Sequence, residues 1–105
     1  MKIHQLLKNK NKWTKLAEAR DEKGDSVQAT VKGAKSWCLV GAANRCYAGQ
    51  YERHFEICAL LVMELEKLTK PKKKTRIPRQ FIADWNDKPE RTFEEVKALV
   101  EKLDI

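Results

Sequence analysis

The sequence has no apolar run long enough to cross a membrane. Its longest, Ile57 to Met63, covers seven residues, whereas a spanning helix needs about 20. The first eight residues also lack the apolar stretch of a signal peptide, because Lys2, His4 and Lys8 interrupt it. We therefore expect no membrane span and an intracellular protein.

The sequence also lacks cysteine pairs with the spacing of a metal site. Its three cysteines are Cys38, Cys46 and Cys58, and zinc ribbons and fingers need ligands two to four residues apart. Each cysteine lies among apolar neighbours, where a free thiol behaves as a small hydrophobic side chain. We expect reduced, buried thiols and no structural metal.

No motif of a known catalytic site is present. The sequence contains no glycine-rich phosphate loop, no serine-hydrolase elbow and no zinc-hydrolase pattern. This absence predicts a protein that is not an enzyme and that binds no cofactor.

Two small groups of polar residues nevertheless have catalytic or metal-binding alternatives. His54 and Cys58 are four residues apart, so on a helix they face the same way and would suit a base and a nucleophile, but the sequence shows no third partner. Asp84, Asn86 and Asp87 would suit a hard cation, yet they lack the calcium-loop pattern. We prefer a boundary histidine above a buried thiol for the first group. For the second we prefer a structural turn, in which Asn86 is left-handed and Arg91 pairs with one of the carboxylates.

What the sequence does contain suits one small domain. A chain of 105 residues with 42% apolar and 35% charged residues can fill a single core and keep it in water. We predict one domain over 1–105, of the mainly α class, as a compact bundle of about four helices with a short β-hairpin near residues 16–31.

Hydrophobic periodicity places the helices. Ile3, Leu6 and Leu7 predict a short first helix. Ser36 would cap a second helix that begins at Trp37, where Gly41, Ala42 and Ala43 would let another element approach closely. A central helix starts at Tyr51 and stops before Pro71; because its middle is apolar nearly all round, we expect it to pack on several sides. Arg79 to Asp87 forms a short helix or turn. The capping box of Thr92 and Glu95 opens an amphipathic last helix.

The net charge of +7 is unevenly distributed along the chain. Residues 1–35 carry +5 and residues 70–80 carry +6, whereas residues 36–69 carry −1 and residues 81–105 carry −3. Two basic blocks result, and a loop at about 70–79 is expected to be exposed. The N-terminal basic block consists of Lys8, Lys10, Lys12 and Lys15, and the second basic block of Lys70, Lys72, Lys73, Lys74, Arg76 and Arg79.

Basic blocks of this kind have several interpretations. Cations on a flexible loop can displace counterions from nucleic acid, or they can be merely solvated; a eukaryotic import signal is a third alternative for the second block. Trp13, which lies between Lys12 and Lys15, can stack on a base or belong to the core.

The sequence contains several short patterns: Trp13, Ala17, Arg20-Asp21, Trp37-Cys38-Leu39 with Gly41-Ala42, Trp85-Asn86-Asp87, and Arg91-Thr92 with Glu95-Val96. Together they resemble an uncharacterised family of small bacterial and phage accessory proteins. The family has no established activity to carry over. The resemblance implies a cytoplasmic protein of a bacterial cell or a phage-infected host. The second basic block carries more positive charge than the resemblance to this family predicts.

The leading functional hypothesis is a non-enzymatic binding protein. Its two basic blocks, together with Trp13, would dock on an anionic partner, which is either nucleic acid or nucleoprotein, or an acidic protein surface. One alternative is a phage-type effector that inhibits a host defence complex by protein–protein contact. Another is a small enzyme that uses His54 and Cys58.

Overall fold

The computed structural model describes residues 1–70 and 77–105, and five α-helices form most of this part of the chain. In chain order the helices are α1 (Ile3–Leu6), α2 (Leu39–Cys46), α3 (Tyr51–Thr69), α4 (Pro78–Asp87) and α5 (Phe93–Leu103), with one 3₁₀ turn at Lys10–Lys12. The mainly helical fold is confirmed, with five helices where about four were expected.

The predicted hairpin is part of a small antiparallel sheet. Its strands are β1 (Ala19–Arg20), β2 (Ser26–Val27) and β3 (Ser36–Trp37), in the order β2-β1-β3. The turn between β1 and β2 is closed by the Asp21 carboxylate, which accepts the backbone N–H groups of Lys23 and Asp25. Gly24 supplies the positive φ of 87° that this turn requires.

The predicted start of the second helix is wrong. Ser36 and Trp37 do not begin a helix, because they pair with Arg20 and Ala19 as strand β3. Cys38 is the N-cap instead, and its Sγ accepts the N–H of Gly41 at 3.2 Å. Strand pairing across the intervening residues therefore outweighs the local capping signal at Ser36.

Helix α2 approaches the chain before β1 very closely, as its small residues predict. A Cβ atom added at Gly41 would lie 1.8 Å from the carbonyl oxygen of Glu18. That carbonyl accepts the N–H of Cys38 at 3.1 Å, so it cannot move away without loss of a hydrogen bond. Only glycine fits at this contact.

Helix α3 packs on one side only, which corrects the expectation of a helix covered on several sides. Ile57, Leu61 and Leu65 are fully buried, whereas Phe55 is 72% exposed and Met63 is 58% exposed. Helix α3 packs mainly against α4. The helix ends at Thr69, and Lys70 closes it in the left-handed conformation with φ 45°.

Helices α4 and α5 begin close to the positions that the sequence predicts. Pro78 stands in the first turn of α4, where its missing N–H costs nothing. The Thr92 hydroxyl accepts the N–H of Glu95, and the Glu95 carboxylate accepts the N–H of Thr92, so the predicted capping box of α5 is confirmed. The buried residues of α5 are Phe93, Val96, Leu99 and Val100; they join one core cluster with side chains from every helix and from the sheet.

Candidate functional site

The N-terminal basic block presents cations that the rest of the described chain leaves unpaired. Lys8 and Lys10 are exposed and Lys12 is half-buried. Lys10 and Lys12 belong to the 3₁₀ turn, whose N-cap Asn9 accepts the N–H of Asn11 at 3.0 Å, and Lys8 directly precedes that N-cap. Within residues 1–70 and 77–105, no carboxylate lies within 4.0 Å of these three ammonium groups.

Lys15, the fourth member of that block, already has partners in the fold. Its Nζ donates to the carbonyl oxygens of Lys88 at 2.6 Å and Pro89 at 3.1 Å. A cation at this place also suits the negative end of α4. Lys15 therefore fixes the end of α4 and offers less of its charge to a partner than Lys8 or Lys10 does.

Trp13 lies between the surface and the core. Its Nε1 donates to Oδ1 of Asn86 at 2.7 Å, its ring lies 6.4 Å from that of Phe93, and the Lys15 Nζ lies 5.4 Å from its centroid. Because the indole N–H is bonded inward and the ring is half-buried, these contacts favour the core alternative over base stacking.

The structure describes only the two ends of the second basic block. Lys70 is the exposed C-cap of α3, and Arg79 is exposed in the first turn of α4. Lys72, Lys73, Lys74 and Arg76 lie outside the described residues. Neither Lys70 nor Arg79 has a carboxylate within 4.0 Å in the described part of the chain.

Helix α4 links the two blocks. Arg79 stands at its start, and Lys15 binds the carbonyls that follow its end. A helix of 10 residues is about 15 Å long. The described ends of the two blocks are thus separated by roughly the length of one short helix.

A cleft of about 310 Å³ lies along α4. Its lining comes from the residues before β1, from the start of α2 and from the whole length of α4 with the preceding Ile77: Ala17, Glu18, Cys38, Val40, Ile77, Arg79, Gln80, Ala83 and Asp87. Both carboxylates in the lining already have partners. Glu18 accepts a hydrogen bond from Asn44 at 2.6 Å, and Asp87 accepts one from the N–H of Leu16 at 2.9 Å. Arg79 is the basic residue in the lining of this cleft. Its planar guanidinium can bind a carboxylate or a phosphate.

Two exposed apolar side chains beside this cleft were missed by sequence reasoning. Leu16 is 76% exposed and has a positive φ of 64°, and Ile77 is 62% exposed. A leucine in the left-handed region is unusual. Neither side chain belongs to a periodic apolar pattern, so the sequence contains no signal for them.

Asn86 corrects the prediction of a left-handed residue at a turn. It lies within α4 and is fully buried. Its Oδ1 accepts the Trp13 indole N–H and, at 3.1 Å, the N–H of Leu39, while its Nδ2 donates to the Thr14 carbonyl at 3.1 Å. One amide thus joins the N-terminal segment, α2 and α4.

Arg91 does not pair with Asp84 or Asp87, contrary to the prediction. Its guanidinium lies 3.8 Å from the centroid of the Trp85 ring and binds Glu95 at 2.9 Å. Asp84 accepts a hydrogen bond from Gln80 at 2.6 Å. Arg91 therefore joins α4 to the first turn of α5, whereas the Asp84 contact stays within α4.

The structure supplies the third partner that the sequence did not show for His54 and Cys58. Nε2 of His54 lies 2.8 Å from Oδ1 of Asn44, and Nδ2 of the same Asn44 side chain donates to Oε1 of Glu18 at 2.6 Å. The thiol is poorly placed, however, because Sγ of Cys58 lies 3.9 Å from Nδ1 and 4.0 Å from Nε2 and so points at neither nitrogen.

The thiols are also poor nucleophiles. Burial raises the pKa of Cys58 and of Cys38, and it raises the pKa of Cys46 to about 11. Nucleophilic attack needs the thiolate, which becomes rarer as the pKa rises. The geometry gives the catalytic alternative at His54 and Cys58 little support.

Residues 1–70 and 77–105 contain no group of three or more potential metal-ligating side chains. No helix among them is both long enough and apolar enough to cross a membrane.

Comparison with known proteins identifies the family of the chain but no function. No curated protein and no solved structure matches it. The model of a family of unknown function, DUF6197, matches residues 1–103, which agrees with the resemblance to an uncharacterised family. The chain therefore belongs to the family of unknown function DUF6197.

Proposed function

We propose that this protein is a non-enzymatic nucleic-acid-binding protein that docks on phosphates through its two basic blocks. One observation carries the proposal: no described cation of either block lies within 4.0 Å of a carboxylate in the described chain. Outside the blocks, Lys2, Arg91 and Lys102 are in ion pairs, whereas the exposed Lys32 and Lys35 have no carboxylate within 4.0 Å in the described chain. Cations without a carboxylate partner retain their charge for an external anion, although Lys15 is already bonded to the carbonyls of Lys88 and Pro89.

Phosphate contacts should dominate over base recognition. Lys8 and Lys10 are exposed point charges, one before and one at the start of the 3₁₀ turn, and Arg79 can bind two phosphate oxygens at once. Trp13 has its indole N–H bonded to Asn86, so its ring contributes little to base stacking. Binding should therefore vary little with sequence and fall steeply with salt.

The test is a comparison of charge-reversed variants that have the same net charge. K8E/K10E removes two unpaired cations of the N-terminal basic block, and K32E/K35E makes the same charge change at exposed lysines outside both blocks. We expect the first pair to weaken DNA or RNA binding about tenfold or more, and the second to have a much smaller effect. A triple variant, K72E/K73E/K74E, tests the second block in the same way.

Two outcomes would contradict the proposal. Equal losses in K8E/K10E and K32E/K35E would show a general effect of net charge and no binding surface. Unchanged affinity in the triple variant would remove the second block from the interface. Circular dichroism of each variant would establish that the fold is retained.

A second candidate is a protein–protein effector that inhibits a host complex. The exposed Leu16 and Ile77 beside the Arg79 cleft favour it, because apolar side chains next to a cation are typical of a protein interface. A partner that survives nuclease treatment and is lost in L16N/I77S would support this candidate. The Asn substitution tolerates the positive φ at position 16.

A further inference from the structure

A second cleft lies beside the start of α3, apart from the Arg79 cleft. Its lining comes from Thr30, from Asn44 of α2, from the connection between α2 and α3 and from the first turn of α3. The volume is about 340 Å³, which falls within the ~300–1,000 Å³ of small-molecule sites. Because Tyr51 lines it and is the first residue of α3, we call it the Tyr51 cleft.

The lining of the Tyr51 cleft contains no Lys, Arg, Asp or Glu side chain, whereas three such side chains line the Arg79 cleft. The charges beside it do not favour an anion either. The Arg53 guanidinium lies 5.9 Å from the centroid of the Tyr47 ring, but it is paired with Glu56 at 3.1 Å, and Glu52 precedes it on α3. The cleft therefore suits an uncharged ligand better than a phosphate.

Planar rings contribute much of this lining. Tyr47 is buried, Tyr51 is 89% exposed and His54 is half-buried. Aromatic rings attract other flat rings in offset-stacked or edge-to-face arrangements. An exposed ring such as Tyr51 beside a cleft can therefore hold a flat ligand by stacking.

Hydrogen bonds hold the His54 ring in a fixed orientation. Nδ2 of Asn44 donates to Oε1 of Glu18 at 2.6 Å, since an ionised carboxylate can only accept. Oδ1 of Asn44 is therefore turned to Nε2 of His54, at 2.8 Å, and this nitrogen must carry a proton. A wall that is already fixed loses less conformational entropy when a ligand binds.

The lining also includes two exposed polar side chains, Thr30 and Gln50. A hydroxyl and a primary amide can each donate and accept hydrogen bonds. The edge of a nucleobase likewise carries both donors and acceptors. Flat faces, an uncharged lining and polar side chains at the cleft together fit a nucleobase, and only an unpaired base has its faces and edge free for such contacts.

Other aromatic side chains leave this role to the Tyr51 cleft. Trp13 is half-buried with its indole N–H bonded to Asn86. Among residues 1–70 and 77–105, Tyr51 and Phe55 are the exposed aromatic side chains, and only Tyr51 lines a cleft of this kind. A strand held by the basic blocks can reach the cleft, because the protein measures 38 Å along its longest axis and about 16 nucleotides span ~54 Å at 3.4 Å each.

We propose that the Tyr51 cleft takes one unpaired base of a single-stranded nucleic acid. The base stacks on the Tyr51 ring, and its edge bonds to Thr30 and Gln50. The inference rests on the proposed nucleic-acid function and deepens it. The basic blocks bind phosphates of any strand, whereas the cleft adds affinity for single strands only.

The first test compares a labelled single strand with a duplex of the same sequence by fluorescence anisotropy. Tyr51→Ala should weaken single-strand binding about fivefold or more, the usual effect of losing one stacked base, and leave duplex binding unchanged. Tyr51→Phe keeps the ring and should bind nearly as the wild type does. Phe55→Ala is the matched control, because Phe55 is also exposed on α3, at 72%, but does not line the cleft; it should retain single-strand affinity.

The second test removes the bases and keeps the phosphates. A single strand built from abasic sites should bind the wild-type protein about fivefold or more weakly than the ordinary strand. Tyr51→Ala should bind the two strands about equally. A wild-type protein that does not distinguish them would overturn the base site.

The outcomes separate this inference from the proposed function. Single-strand affinity that falls in K8E/K10E but not in Tyr51→Ala would overturn the base site and leave phosphate docking in place. A wild-type protein that binds no nucleic acid would overturn both. Equal losses in Tyr51→Ala and Phe55→Ala, or a protein partner that survives nuclease treatment and is lost in Tyr51→Ala, would also overturn the base site. Circular dichroism of Tyr51→Ala would establish that the fold persists, which the exposure of Tyr51 leads us to expect.

Discussion

Asn86 carries more of the tertiary structure than any other single polar residue in the described chain. It is fully buried, and its amide contacts Trp13, Thr14 and Leu39. Each of these partners is more than forty residues away in sequence. The Asn86 side chain therefore bonds to distant elements and does not form a local turn. Because its partners are far away in sequence, the residues next to it led to the wrong prediction of a left-handed turn residue.

Substitution of Asn86 by Ala should destabilise the protein strongly. It leaves the Leu39 N–H, the Thr14 carbonyl and the Trp13 indole N–H without their partner, and unsatisfied buried groups are costly. We expect the free energy of unfolding to fall by about 3 kcal/mol, measured by urea denaturation. Asp84→Ala is the control on the same helix, because Asp84 is exposed; an equally small loss in Asn86→Ala would contradict this role.

Gly41 shows the same dependence on a distant residue through steric contact. A Cβ at this position would lie 1.8 Å from the Glu18 carbonyl oxygen. Gly41→Ala should therefore lower the free energy of unfolding by about 2 kcal/mol or more, since backbone atoms must move apart.

Gly33 provides a matched control for Gly41, because a Cβ at Gly33 would meet no atom within 4 Å. Gly33→Ala should leave the denaturation midpoint nearly unchanged. If both alanine variants were equally stable, the close approach of α2 to Glu18 would not be a constraint on the fold.

At the scale of the elements, local signals predicted the helices and the hairpin of β1 and β2, but not strand β3. The capping box of Thr92 and Glu95 defines the start of α5 without help from other elements. Strand β3, in contrast, exists because Trp37 pairs with Ala19, and no local pattern at Ser36 encodes that pairing. A two-residue strand depends on its partner strand for its hydrogen bonds.

The periodicity of α3 shows a second limit of sequence reading. Apolar residues nearly all round a helix do not tell which faces neighbouring elements cover. Ile57 and Leu61 are buried and Phe55 and Met63 are exposed, although all four belong to the same apolar run of the sequence or flank it. Only the positions of the other helices separate a core face from a surface available to a partner.

Helices α3 and α5 are joined by a buried carboxylate, which makes their contact pH-dependent. Hydrogen bonding to Lys102 holds the pKa of Glu64 below its usual range. In the unfolded chain this carboxyl takes up its proton at a higher pH, so its contribution to stability is present above the ordinary glutamate pKa of about 4.3 and is lost as the pH falls further.

We therefore expect Glu64→Gln to flatten the acid limb of the stability curve. Urea denaturation of the wild type should show decreasing stability on acidification below the ordinary glutamate pKa, and the variant should decrease less. Some decrease should remain, because the pKa of Asp104 beside Lys2 and that of Glu95 at the Thr92 cap are also lowered. Identical curves would show that the Glu64–Lys102 contact does not form in solution.

At the scale of the whole molecule, the charge pattern is the part of the candidate site that the sequence predicted. Lys8 and Lys10 are exposed as expected. The different status of Lys15 and Trp13 was not predictable, because their partners Lys88 and Asn86 lie more than seventy residues away. The basic blocks are therefore visible in the sequence, while the fold determines which of their described members have partners within the chain.

The most direct test of the central claim is a titration of labelled single- and double-stranded DNA and RNA with the purified protein across a range of salt concentrations. If the basic blocks dock on phosphates, binding should persist near physiological ionic strength and vary little with sequence. The logarithm of the affinity should fall linearly with the logarithm of the salt concentration, with a slope of about −4 or steeper on duplex DNA if at least five phosphates are contacted. Absence of binding at low salt, or an affinity that does not change with salt, would contradict the account.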